Sequence, residues 1–309
     1  MLPFQKSKII TISCIDLSIF GFLLPNLLLC NATYVSHILI SNVIAMPKIR
    51  IRDIHLYYEI AGQGQSLLFI HGLGSSVHDW EAQVPFFSKQ YQVVTFDVRG
   101  HGKSDKPTGP YSIQLFALDT AELIKSLRID KTHVIGISIG GMIAFELAIK
   151  APDLVRNLVI VNSRPDPMVR TLKERFKAFQ RLLIIHLLGI RKIAQIQSKR
   201  LFPDRQHKEL RRLFVERRTE NDKQAYLDSL RAIYNWSVTA HLGAIRCPVL
   251  VIAGDKDYRP ISEKEAYVAK MPRAELVVIT NSRHATHMER PDQFNQVVIR
   301  FLSRSDTNE

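Results

Sequence analysis

The chain of 309 residues predicts an α/β fold, in which a mostly parallel, twisted sheet carries helices on both faces and a helical cap. Two observations predict it. Short apolar runs alternate with amphipathic helical stretches, and one long segment shows helical patterns only. Hydrophobic residues make up 46% of the chain and charged residues 23%, which suits one sizeable core and excludes long disorder.

The apolar runs are the predicted strands. A hairpin is predicted at 48–53 and 56–60, and six apolar runs follow, at 67–70, 93–96, 134–137, 158–161, 249–252 and 276–279, of which only 93–96 includes a polar residue, Thr95. Continuous apolar runs of this length are expected where both faces of a parallel strand are buried. Stretches such as 113–127, where leucine recurs at helical spacing, predict the helices that cover the sheet.

The alternation breaks in the segment 163–240, which contains helical patterns and no strand-like run. We predict that this segment is a helical, basic cap inserted into a core formed by 46–162 and 241–304. Its apolar patch, with Leu183, Leu187 and Leu188, is predicted to contact substrate. Between 164 and 240 the chain has eighteen Lys or Arg and eight Asp or Glu, so this part carries most of the net charge of +13. Such an excess attracts anionic groups, and the alternative is a solvated helical face.

The first 45 residues differ from the rest of the chain. Lys6 and Lys8 precede a mostly apolar run at 9–30. Three interpretations stay open: a cleaved signal peptide, a membrane anchor in which 9–30 contacts lipid, or translation that starts at Met46. The third would make the protein cytoplasmic, whereas the other two would export or anchor it.

A glycine-rich motif marks the candidate nucleophile. Gly136-Ile137-Ser138-Ile139-Gly140 follows the strand run 134–137 and opens a helical pattern. A strand-to-helix turn tight enough to expose a serine crowds the backbone, so small residues such as Gly136 and Gly140 are needed on both sides. The alternative is a glycine-rich turn capped by serine.

A serine nucleophile needs a base, and the base needs an orienting carboxylate. The strand run 249–252 leads into Asp255 and Asp257, and His284 follows the last strand run. The chain order Ser, Asp, His is that of one class of hydrolases. It predicts Ser138 as the nucleophile and His284 as the base.

The loop His71-Gly72-Leu73-Gly74 follows the strand run 67–70. In such a site, the amides of Leu73 and Ile139 are predicted to bind the carbonyl oxygen as an oxyanion hole. We expect His71 and Gly72 to support this loop, His71 by hydrogen bonding. The predicted chemistry requires no cofactor and no metal.

From about residue 51 to residue 302 the chain resembles the α/β-hydrolase fold family, in particular its small capped esterase and lactonase-like members. Four motifs carry the resemblance in order, namely H-G-x-G, D-x-R-G-H-G-x-S, G-x-S-x-G-G, and G-x-x-D followed by H-x-x-x-x-E-x-P. The resemblance implies the α/β-hydrolase fold. It also selects Asp257 as the acid, because the acid of the family stands three residues after a glycine, here Gly254.

The same resemblance selects His284 over His287. The chain departs from the family at Arg283, where glycine is usual, and this places a cation beside the base.

The predicted function is that of a serine hydrolase, which cleaves carboxylic esters, lactones or thioesters through an acyl-enzyme. A carbon–carbon bond hydrolase or enol-lactonase would use the same triad. A non-catalytic ligand receptor or a membrane-surface binding protein is the alternative of another class. We expect a small-molecule substrate with an apolar acyl group and an anionic handle or an acidic carrier protein. No nucleic-acid partner is expected, because basic and aromatic residues do not interleave.

Overall fold

A computed structural model describes residues 48–306 of the chain. The interpretations of 1–45 as a signal, an anchor or a region upstream of the start at Met46 lie outside the described residues.

Eight strands and nine α-helices follow one another in the described part of the chain. The strands are β1 Lys48–Ile51, β2 Ile54–Ala61, β3 Gln65–Ile70, β4 Tyr91–Phe96, β5 Thr132–Ile137, β6 Val155–Val161, β7 Val249–Gly254 and β8 Ala274–Ile279. The helices are α1 Val84–Phe87, α2 Ile113–Ser126, α3 Ile139–Lys150, α4 Leu172–Leu201, α5 Lys208–Thr219, α6 Lys223–Tyr234, α7 Ile261–Val268, α8 Thr286–Glu289 and α9 Pro291–Asp306.

The strands form one sheet with the order β1-β2-β4-β3-β5-β6-β7-β8. The β1–β2 and β2–β4 pairs are antiparallel, and every pair from β4 to β8 is parallel. The predicted fold is therefore confirmed. Complete burial of the last apolar run is a wrong prediction, because β8 is an edge strand and Val278 is 36% exposed.

Neighbouring residues of a central strand enter different cores, which explains why the runs are continuously apolar. In β3, Leu68 and Ile70 belong to the cluster that contains Phe145 of α3, whereas Leu67 and Phe69 belong to the cluster that contains residues of α9. Successive side chains of a strand point to opposite faces of the sheet. Helices therefore cover both faces, and the carboxyl ends of the parallel strands meet at one edge.

Between β6 and β7 the chain forms α4, α5 and α6 and no strand. We call 162–248 the helical insertion. Helix α4 begins with a capping box of Thr171 and Glu174 and bends at Gly189, whose φ is 74°. No helix within 48–306 has the length and apolar character needed to cross a membrane.

Candidate active site

Ser138 lies in a strained turn between β5 and α3. Its φ of 56° and ψ of −116° are rare for a residue with a side chain, and such a conformation costs on the order of 1–3 kcal/mol. Gly136 and Gly140 make the turn possible, since a Cβ on either would lie 2.2 Å from a backbone oxygen. The Oγ of Ser163 donates to the Ser138 carbonyl at 2.6 Å. The turn holds the half-buried Ser138 side chain at the carboxyl end of β5.

The backbone amides near Ser138 that donate no hydrogen bond within the described part of the chain include those of Leu73, in the loop after β3, and Ile139, the first residue of α3. The loop lies beside the serine, because a Cβ placed on Gly72 would be 3.9 Å from Ser138 Cβ. The Gly72 amide itself donates to Asp79 Oδ2 at 3.3 Å. The N–H groups of Leu73 and Ile139 thus have no internal acceptor, as the predicted oxyanion hole requires.

His71 connects this loop to the turn after β4. The Val98 amide donates to His71 Nε2 at 3.0 Å. The proton of the neutral ring is therefore on Nδ1, which donates to the Gly72 carbonyl at 2.8 Å. His71 thus fixes the backbone immediately before Leu73.

The structure brings Asp257 to His284. Oδ1 of the carboxylate lies 3.0 Å from His284 Nδ1. Asp255 instead accepts from the Ser282 amide at 2.9 Å, and His287 is buried against Trp80. Because an ionised carboxylate only accepts, Nδ1 of His284 carries the proton and Nε2 keeps one lone pair.

The Tyr258 hydroxyl occupies that lone pair. It lies 2.8 Å from His284 Nε2, and the two rings are in contact, with centroids 4.3 Å apart and planes tilted by 33°. Ser138 Oγ shares no hydrogen bond with His284 among the described residues. In this conformation Nε2 of His284, the predicted base, is therefore engaged by a phenol rather than by the serine. Sequence reasoning missed Tyr258, whose only signal is its place directly after Asp257.

A buried lysine, also missed from the sequence, holds the other oxygen of the acid. Lys264 Nζ lies 2.9 Å from Asp257 Oδ2, and both side chains are nearly inaccessible to solvent. Burial alone would raise the pKa of Asp257, but the hydrogen bond and charge of His284 and the charge of Lys264 outweigh it and lower the pKa. Asp257 is thus an ionised acceptor at neutral pH.

Asn162, at the end of β6, links the acid and base segments. Its Oδ1 accepts from the Gly254 amide at 2.9 Å, at the end of β7. Its Nδ2 donates to the His284 carbonyl at 2.9 Å and to the Arg283 carbonyl at 3.1 Å. A polar residue at the end of a buried strand run is a signal from which sequence reasoning could have found it.

The helical insertion contacts the site at two places. Arg218 of α5 donates to the Leu73 carbonyl, and Asn221 donates to the Gly74 carbonyl at 2.7 Å. The guanidinium of Arg200 in α4 lies 5.3 Å from the ring centroid of Tyr258. Polar side chains of the insertion thus reach both the predicted oxyanion loop and the residue on the base.

The predicted substrate-contacting leucines lie elsewhere on α4. Leu183, Leu187 and Leu188 are 41%, 68% and 55% exposed and belong to none of the buried clusters. The inward side of this part of α4 is formed by the fully buried Ile185. The three leucines form an outward-facing surface, and their contact with substrate stays a prediction.

The cation beside the base is neutralised. Arg283 Nη1 lies 3.2 Å from Asp204 Oδ2 and 3.3 Å from Glu289 Oε1. Glu289 also accepts from the Arg283 amide, so the turn that usually contains glycine is held by a carboxylate. The charge of Arg283 is therefore balanced by two carboxylates, those of Asp204 and Glu289.

Within 48–306, no group of three or more His, Cys, Asp and Glu side chains is arranged to hold a metal ion. Burial raises the pKa of the Cys247 thiol to about 11, so this cysteine is protonated at neutral pH and is a poor nucleophile.

In a comparison with known protein families, residues 65–291 match the family of the alpha/beta hydrolase fold. The putative carbamate hydrolase RutD of Azorhizobium caulinodans is 30% identical over 269 residues, which cover 84% of this chain and 100% of that protein. The 3-oxoadipate enol-lactonase 2 of Acinetobacter baylyi is 27% identical and covers 82% of this chain and 95% of its own length. Among solved structures, a thermophilic esterase from Thermogutta terrifontis superposes with a TM-score of 0.77 at 25% identity, covering 84% and 98% of the two chains.

Proposed function

Because the chain belongs to the α/β-hydrolase fold family and is a hydrolase, we propose that it is a serine hydrolase, which cleaves carboxylic esters through an acyl-enzyme. Ser138 is the nucleophile, His284 the base and Asp257 the acid of this proposal. The observation that carries it is the contact between His284 Nδ1 and the buried, ionised Asp257, because it leaves Nε2 as the proton acceptor.

The reaction begins when Ser138 Oγ attacks the substrate carbonyl and passes its proton to His284 Nε2. Asp257 stabilises the imidazolium that forms, and the amides of Leu73 and Ile139 bind the oxyanion. His284 then protonates the leaving oxygen, and a water molecule activated by the same nitrogen hydrolyses the acyl-enzyme. Since Nε2 has one lone pair, Tyr258 has to release it before Ser138 can transfer its proton.

The scissile bond is proposed to be an ester, with lactones, thioesters and carbamates as variants of the same acyl transfer. The names of the relatives from Azorhizobium caulinodans and Acinetobacter baylyi support carbamates and enol lactones. Arg200 lies over the ring of Tyr258, which touches the base, and this favours a substrate with an anionic handle.

Substitution of the nucleophile tests the proposal. With p-nitrophenyl esters, lactones, acyl thioesters and carbamates as substrates, Ser138→Ala is expected to lower kcat on the order of a million-fold. A fluorophosphonate should label the native chain and not this variant. Ser126→Ala, which changes an exposed serine at the end of α2, is the matched control and should keep both activity and labelling. A loss of only a few fold in Ser138→Ala would refute the mechanism.

A further inference from the structure

Helix α4 has a line of exposed apolar side chains along one side. Leu172, Phe176, Phe179, Leu183 and Leu187 follow at spacings of three and four residues, which places them on the same side of the helix. They are 84%, 61%, 60%, 41% and 68% exposed. We call these five residues the apolar stripe. Side chains of this kind normally face a core, so among residues 48–306 the stripe has no apolar partner that covers it.

The stripe ends where the helix bends. The straight part before Gly189 has one inward side, with the fully buried Ile185, and the apolar stripe on another side. After the bend, Ile190, Ala194 and Ser198 are buried. From Leu172 to Leu187 the stripe is about 22 Å long at the rise of an α-helix. The apolar stripe is thus a narrow surface on the straight part of α4 that precedes Gly189.

The charges next to the stripe select an anionic partner. Helix α4 contains eight Lys or Arg residues and one acidic residue, Glu174, which is used in the capping box. Lys173, Arg175 and Lys177 are exposed, alternate along the chain with the first stripe residues, and form no ion pair within the described part of the chain. Unpaired cations beside an apolar face attract anionic head groups.

We propose that the apolar stripe docks on the surface of an anionic lipid bilayer. The stripe side chains enter the boundary of the acyl chains, and the neighbouring cations contact the phosphate and carboxylate head groups. A helix with one apolar side and a basic polar side lies in the plane of the interface and does not cross the bilayer. Because Arg200 of the same helix lies over Tyr258, docking would place the bilayer on the element that borders the candidate site.

A tryptophan reporter tests the docking in the full chain. The two native tryptophans, Trp80 and Trp236, are 0% and 1% exposed, so a new indole in the stripe is the only exposed one among the described residues. In Phe179→Trp, we expect a blue shift and quenching by brominated phosphatidylcholine when vesicles contain phosphatidylserine. Both effects should weaken as salt is added. Leu118→Trp is the matched control, because Leu118 is 44% exposed on α2, and its emission should not change.

Two sets of substitutions in Phe179→Trp separate the apolar and the ionic contributions. Replacement of Leu172 and Phe176 by Ser, or of Lys173, Arg175 and Lys177 by Gln, should each lower the vesicle partition coefficient on the order of a hundredfold. Arg212→Gln is the control for charge, because Arg212 is already paired with Glu209 and Glu216, and it should keep the partitioning.

The possible outcomes distinguish the occupants of the stripe. Quenching that depends on phosphatidylserine and is lost in both variant sets supports the proposal. A blue shift without vesicles that grows with protein concentration would assign the stripe to a second copy of the chain and overturn it. An unshifted spectrum, or equal partitioning into neutral vesicles, also overturns it. Hydrolysis of a soluble ester, measured in every variant, should not change, so a failure of the proposed function is seen separately.

Discussion

The hydroxyl of Tyr258 is expected to restrain the base, and Tyr258→Phe removes only that hydroxyl. The ring, whose centroid lies 4.3 Å from that of His284 and 5.3 Å from the guanidinium of Arg200, is retained. The neutral imidazole has one lone pair on Nε2, so a bond from Tyr258 and a bond from Ser138 exclude each other. Removal of the phenol should therefore raise the fraction of molecules in which His284 is free to accept the serine proton.

The size of the effect follows from the strength of that bond. A neutral hydrogen bond contributes about 1 kcal/mol net, which corresponds to a population ratio of about five. We expect kcat/KM for a p-nitrophenyl ester, and the rate constant of inactivation by a fluorophosphonate, to rise by up to about fivefold. Tyr111→Phe, which removes a hydroxyl that donates to the Pro107 carbonyl, should change neither rate constant. A fall of tenfold or more in Tyr258→Phe would refute the reasoning, because it would show that the hydroxyl takes part in the reaction.

Two further predictions concern buried ionisable groups. Lys264→Met leaves Asp257 Oδ2 without its partner, so urea unfolding at neutral pH should show a loss of about 3 kcal/mol, whereas the exposed Lys125→Met should cost less than about 0.5 kcal/mol. The pKa of Asp257 should rise toward its unfolded value, so the stability that this carboxylate loses as the pH falls below about 5 should be smaller in the variant. Equal urea midpoints of Lys264→Met and the native chain would contradict the role of Lys264. Burial lowers the pKa of His101 to about 3 and that of His287 to about 4, so between pH 6.5 and pH 5 only the unfolded chain binds these protons. The stability contributed by the neutral histidines is complete above about pH 6.5 and should fall by about 2 kcal/mol per histidine at pH 5. Equal urea midpoints at pH 7 and pH 5 would contradict this.

The sheet could be predicted from the sequence because both of its faces are covered. Each apolar run lies within a strand from β3 to β8, since a central parallel strand needs apolar residues on both faces. The runs do not reveal which strand is at the edge, because an edge strand with one covered side, such as β8, has a similar composition. The order of the strands in the sheet and the burial of each strand could therefore be learned only from the structure.

The candidate site could be predicted where its chemistry depends on a local motif. The conformation of Ser138 requires glycine on both sides, and that requirement is visible in the sequence. The Tyr258 and Lys264 contacts depend on side-chain directions in three dimensions, which neither spacing nor composition encodes. An apolar patch has no direction in a sequence, so the sequence could not predict that the leucines of α4 face outward, and their contact with substrate stays a prediction.

The partners of the Asn162 side chain are translated after it, and this limits when the site can form during synthesis. It joins the end of β6 to the ends of segments that are translated about a hundred residues later, at Gly254 and His284. A nascent chain that has just completed the serine turn has neither acid nor base. The proposed triad can thus assemble only after the last strand has been added, and labelling of Ser138 by a fluorophosphonate would report the completion of the sheet.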